Sequence, residues 1–135
     1  MNIDSINNGV VIDHITAGKG MKLYELLGLD RLECQVAIIK NAYSVKKGKK
    51  DIIKIADSFE VNLDIIGYVD PGATVNIIQN GKLVEKKDIH MPYELTNVIK
   101  CRNPRCITSV EQELPHRFRL TEKKKYRCIY CETEA

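Results

Sequence analysis

Four cysteines in two close pairs constrain this chain more than any other feature. Cys101 and Cys106 enclose Arg-Asn-Pro-Arg, and twenty-two residues after Cys106, Cys128 and Cys131 enclose Ile-Tyr. Zinc takes four soft donors in a tetrahedron, and two short knuckles supply them with little distortion of the chain. The alternative is a pair of disulfides. Met1-Asn2-Ile3-Asp4 is polar and no apolar segment of a secretory signal follows, so the expected compartment is the cytoplasm, where thiols stay reduced. The spacing therefore predicts a metal site, zinc-ribbon-like in form, with Cys101, Cys106, Cys128 and Cys131 as ligands.

The remaining chain is balanced in charge. Residues 1–92 carry twelve Lys/Arg and twelve Asp/Glu, while residues 93–135 carry nine against six and hold the whole excess. Four thiolates around Zn2+ bring that tail down to about +1, which is weak for a nucleic-acid binder. No run reaches membrane-spanning length. At 135 residues the chain suits one modest domain followed by a small metal-stapled one, because about forty residues rarely bury enough apolar surface to fold unaided. The expected division is 1–92 and 93–135.

Within the first part, Gly9 to Ile15 reads as a strand with Val11, Asp13 and Ile15 on one face and Val10, Ile12 and His14 on the other. Lys19 to Gly28 has helical spacing of Met21, Leu23, Tyr24, Leu26 and Leu27, with Gly28 as its stop. Glu33 to Lys40 is a second strand, with Cys34 as a small apolar core residue. A lysine-rich loop, Tyr43 to Gly48, leads to a third strand from Lys49 to Asp57. There Asp51, Ile53 and Ile55 share one face, and Lys50 and Lys54, expected about 7 Å apart on the other, can converge on an anion. Asn62 caps a helix through Val69, and Asp70-Pro71-Gly72 ends it. Asn80-Gly81 between two alternating runs marks a hairpin. The order βαββαββ predicts an α+β chain: a ferredoxin-like sandwich extended by one strand, then a small all-β metal domain. Met91 to Leu95 reads as the linker between them.

The residues do not assemble an active centre. Four thiolates close a metal's coordination sphere, Cys34 has no activator, His90 and His116 fall in linker and loop, and Gly18-Lys19-Gly20 is too short for a phosphate loop. A nucleotide site is better supplied. Asp13 suits a ribose, His14, Lys50, Lys54 and Lys86 suit phosphates, and Asn76 suits a base edge. These residues form one site only if the strand order brings them together.

Val11-Ile12-Asp13-His14-Ile15, Lys50-Asp51-Ile52-Ile53-Lys54-Ile55, Ala73-Thr74-Val75-Asn76 and the four cysteines, in that order and spacing, resemble the regulatory chain of aspartate carbamoyltransferase from about Ile3 to Cys131. The resemblance implies a non-catalytic subunit that binds CTP as inhibitor and ATP as activator at one site, with UTP assisting CTP in many members and Mg2+ accompanying the triphosphates. Carried over residue by residue, Asp13 meets the ribose, and Lys54 the ribose and base. His14 and Lys86 face the phosphates, while Asn76, Gly81, Leu83 and the Ile6 backbone line the pocket. Lys50 with Ile3 and Asp4 falls at the second nucleotide's contacts. The partners implied are the catalytic chains and a second regulatory chain in a homodimer. Gly81 stands where other members carry an aromatic side chain, Ala56 where some carry an acid, and the N-terminal arm is shorter. Two rivals remain at this stage: a zinc ribbon binding nucleic acid through Arg102, Arg105, Lys123, Lys124, Lys125 and Arg127, and a nucleotide sensor without a catalytic partner.

Overall fold

Strand alternation over the first ninety residues builds a single antiparallel sheet. The structure, a computed structural model, describes residues 7–135, and the chain divides into the compact units Met1–His90 and Met91–Ala135. The first unit contains β1 (Gly9–Thr16), α1 (Gly20–Leu26), β2 (Val36–Ser44), β3 (Gly48–Ile55), α2 (Leu63–Val69), β4 (Thr74–Gln79) and β5 (Lys82–Asp88), with a 3-10 turn at Leu29–Arg31. The sheet order is β2-β3-β1-β4-β5 and every neighbouring pair is antiparallel. This is the expected ferredoxin-like arrangement with β5 added at the edge.

One face of the sheet carries the core. Val10, Ile12 and Ile15 of β1, Ile53 and Ile55 of β3 and Val75 of β4 pack with Leu23 of α1 and Ile66 and Val69 of α2, all nearly or wholly buried. Each such side chain contributes about 1.5–3 kcal/mol. Cys34 packs half-buried against this cluster, as expected. Asn62 caps α2, its side chain accepting from the Asp64 amide at 3.0 Å.

Two local readings are corrected. Ile15 lies on the core face with Val10 and Ile12 rather than with Val11 and Asp13, because the β1–β3 register shifts between Ile12 and Ile15. His14 sits in that bulge with φ +58°. A bulge inserts one residue, so side chains beyond it exchange faces. β2, moreover, starts at Val36 and runs on to Ser44, taking in the first two residues of the expected lysine-rich loop.

α1 has no side-chain cap of its own. The wholly buried Asp51 of β3 substitutes for one, with Oδ2 accepting from the Gly18 and Gly20 amides at 3.0 Å each. Its Oδ1 accepts from the Asn41 amide at 3.0 Å in the second bulge, between Ile39 and Ala42. A Cβ on Gly20 would lie 2.9 Å from Asp51 Oδ2, so only glycine allows this approach.

The second unit is a three-stranded antiparallel sheet of β6 (Glu94–Thr96), β7 (Arg117–Leu120) and β8 (Tyr126–Cys128), in that order. β6 occupies part of the segment expected to be linker. A short helix, α3 (Ile107–Val110), follows Cys106 where only strands were expected. Leu95, Phe118 and Tyr126 form a small apolar centre beside Cys106 and Cys128. Glu94 pairs with Arg117 through Nε at 2.6 Å and through Nη2.

Candidate functional site

Directly opposed residues of an antiparallel sheet share a face. The register therefore sets Ala37, Lys54, Val11, Asn76 and Lys86 in one row across all five strands, on the face away from α1 and α2. Three sequence-predicted residues, Lys54, Asn76 and Lys86, thus meet in a line although 32 positions separate the first from the last. Lys54 and Asn76 are half-buried and Lys86 is exposed. Leu83 stands opposite Ile78, one repeat along the same face. Among the described residues Asn76 Oδ1 is buried without a hydrogen-bond partner. An unsatisfied buried carbonyl costs about 1–3 kcal/mol, and one kept in a native protein calls for an explanation such as a bound water, an ion or a functional role.

A second group gathers where β1 ends. Lys50 Nζ lies 3.0 Å from Asp13 Oδ1, which also accepts from the His14 amide at 2.6 Å. Burial opposes the Asp13 charge. The bonds from Lys50 and the His14 amide, with the nearby positive charge, outweigh it and hold the carboxyl below its ordinary value. His14 Nδ1 is 3.2 Å from Thr74 Oγ1, a partner that no sequence signal indicated. Lys50 and Lys54 are four residues apart on β3, about 13 Å along the strand rather than the expected 7 Å. They do not converge: Lys50 serves Asp13, and Lys54 stands in the row. Ile3, Asp4 and Ile6 lie outside the described residues.

This open face is distinct from a groove of about 550 Å³ lined by Phe59, Val61, Leu63, Val75, Ile77 and Lys87. Val75 and Ile77 alternate with Asn76 on β4, so that groove opens on the opposite side of the sheet.

In the second unit the four predicted thiols converge, with all ligand atoms within 4.8 Å of one another. Cys101 and Cys131 Sγ are 3.6 Å apart, and Cys106 and Cys128 Sγ 3.7 Å. A tetrahedral zinc with bonds of about 2.3 Å requires sulfur separations of about 3.8 Å, so the donors present fit that ion. Burial pushes the Cys101 thiol up to about 12 and raises Cys128 as well, whereas hydrogen bonding with Thr133 holds Cys131 down to about 6. A metal bound here takes its cysteine ligands as thiolates, so its binding releases protons and depends on pH.

The residues around the sulfurs were not found from sequence. The Thr108 hydroxyl donates to Cys106 Sγ at 3.1 Å, and Thr133 Oγ1 is 3.2 Å from Cys131 Sγ. His116, expected in a solvated loop, is half-buried, and its Nδ1 accepts from the Cys101 amide at 3.1 Å. The Asn103 side chain accepts from the Arg105 amide at 3.0 Å and shapes the first knuckle. Two threonines, each two residues beyond a cysteine, are the one pattern that could have indicated such neighbours.

Residues 1–90 match the family described as the aspartate carbamoyltransferase regulatory chain, allosteric domain. Residues 93–135 match the metal binding domain of the same regulatory chain. Aspartate carbamoyltransferase regulatory chains similar to this one include those of Clostridium acetobutylicum, 48% identical over 134 residues (98% of this chain and 92% of the relative), and Clostridium botulinum, 47% identical over the same shares. That of Bifidobacterium longum is 44% identical over 137 residues, covering 100% of this chain and 99% of the relative.

Proposed function

The chain belongs to the family of aspartate carbamoyltransferase regulatory chains, and from that premise we propose that residues 1–92 bind CTP and ATP on the open face of the sheet while residues 93–135, folded around zinc, dock on the catalytic chain. Membership makes this a non-catalytic subunit with an allosteric and a metal-binding domain. The observation that carries the nucleotide reading is the cross-strand row, in which Lys86 is the neighbour of Asn76 and Lys54 stands two strands away on the other side, with the Asn76 carbonyl unpartnered among the described residues. A nucleotide offers that carbonyl a donor, and the phosphates suit Lys86 and His14. The ribose hydroxyls suit Asp13. Lys54 reaches ribose and base, Lys50 the second nucleotide, and Leu83 and the Ile6 backbone complete the rim. Mg2+ accompanies the triphosphate, and UTP assists CTP. Two such chains pair and bridge catalytic subunits in the cytoplasm.

Regulation then follows from linkage. A nucleotide that binds one quaternary state more tightly shifts the assembly toward that state. A coupling of about 1–3 kcal/mol suffices without contact between this chain and the substrate. Calorimetry tests the site. Wild-type chain should bind CTP and ATP in competition, and Lys54→Ala should weaken both about tenfold or more with metal content unchanged. Equal affinity in the variant removes Lys54 from the site. Co-purification with a catalytic chain whose carbamoyltransferase activity responds to CTP tests the partner; activity indifferent to CTP and ATP refutes the regulatory role.

A further inference from the structure

The turn between β2 and β3 is tied to the open face by one lysine that neither the row nor the family reading uses. Lys47 Nζ donates to the backbone carbonyl of His14 at 2.9 Å. A Cβ built on Gly72 would lie 3.4 Å from the same nitrogen and 3.3 Å from Asp70 Oδ1, so the ammonium passes close to a residue without a side chain. His14 is left-handed at φ +58°. Contact between Cβ and the carbonyl disfavours that conformation for any residue but glycine, and it persists only where neighbours determine it. Here three polar groups of residue 14 are held. Its amide donates to Asp13 Oδ1, its ring Nδ1 meets Thr74 Oγ1, and its carbonyl, turned out of the strand ladder by the bulge, meets Lys47. Among the described residues Nε2 has no partner, and it is the ring nitrogen left to meet a ligand.

We propose that Lys47 is a positioning residue for His14: its ammonium fixes the carbonyl of the left-handed residue and thereby sets where the imidazole meets the phosphates of a nucleotide. The proposal rests on the nucleotide reading above for its ligand, but not for the contact itself. It makes the Ser44–Gly48 turn part of the binding machinery, without Lys47 touching the ligand.

The test uses the full metal-loaded chain, CTP as the probe and two separate readouts. Lys47→Met removes the ammonium at nearly constant length. In ligand-free protein it should move the His14 ring resonances, and Lys47→Arg should restore them. In calorimetry Lys47→Met should weaken CTP about tenfold, the size of one lost charged hydrogen bond. The loss should vanish when His14 is already alanine. Unmoved resonances together with undiminished CTP affinity overturn the proposal. So does a loss of equal size in the His14→Ala background, because Lys47 would then act on the ligand directly. If the wild-type chain binds no nucleotide while the resonances still respond to Lys47→Met, the nucleotide reading fails and the positioning contact stands.

Discussion

Asp13 and Asn76 show two opposite ways in which a side chain of the proposed nucleotide site is set before any ligand arrives. Asp13 is a charge kept ready: its folded pKa lies below the unfolded value of 3.8. Stability from the Lys50 pair is therefore complete above that value and is lost as the pH falls through the lower folded one. Lys50→Met should raise the Asp13 carboxyl titration followed by NMR and move this loss of stability to higher pH. Asn76 is a cost carried in advance. Asn76→Leu removes the orphaned carbonyl at similar volume and should stabilise the ligand-free chain by about 1 kcal/mol while weakening CTP binding, read as a higher melting temperature beside a poorer calorimetric affinity. Each residue was visible in the sequence as a candidate. Their partners were not, because Thr74 and the Asp13–Lys50 contact depend on which strands are neighbours, and periodicity reports only which face a residue occupies.

At the level of elements, strands and helices were legible wherever alternation or helical spacing was long. The irregular points were not. The bulge at His14 leaves no mark beyond a polar pair in mid-strand, so the face of Ile15 was misassigned. The cap of α1 is supplied from a strand 31 residues away at Asp51, and a search of the residues just before the helix finds only Lys19. β6 and α3 span three and four residues, too few for any period to register. The remote cap carries its own prediction. Asp51→Ala leaves three amides without their acceptor and should cost the first unit about 3 kcal/mol or more. Gly20→Ala, which forces a Cβ against that carboxylate, should be destabilising as well. Urea titrations of the two variants measure both effects; wild-type midpoints would show that Asp51 is not the cap.

The whole molecule has two separate reasons to be folded. Residues 1–90 have an apolar core of their own, whereas residues 91–135 gather around four sulfurs and a few apolar side chains. Chelation, or Cys128→Ser, should unfold the second part alone and abolish joining of the catalytic chain, while calorimetry still records CTP binding at unchanged affinity. Hydrogen exchange that collapses over both parts together would contradict this. The cysteine spacing announced the metal directly, since ligand sets are local in sequence. The proposed nucleotide face is assembled from distant segments, so its reading needed the strand order as well. The transverse row has a practical corollary for anyone refolding or redesigning the chain. Because each of the five strands contributes one rung, a slip of a single residue in any of them turns its rung to the wrong side of the sheet. For the proposed site, CTP titration is therefore also a proofreading assay: it scores how many molecules have laid all five ribbons in the right alignment.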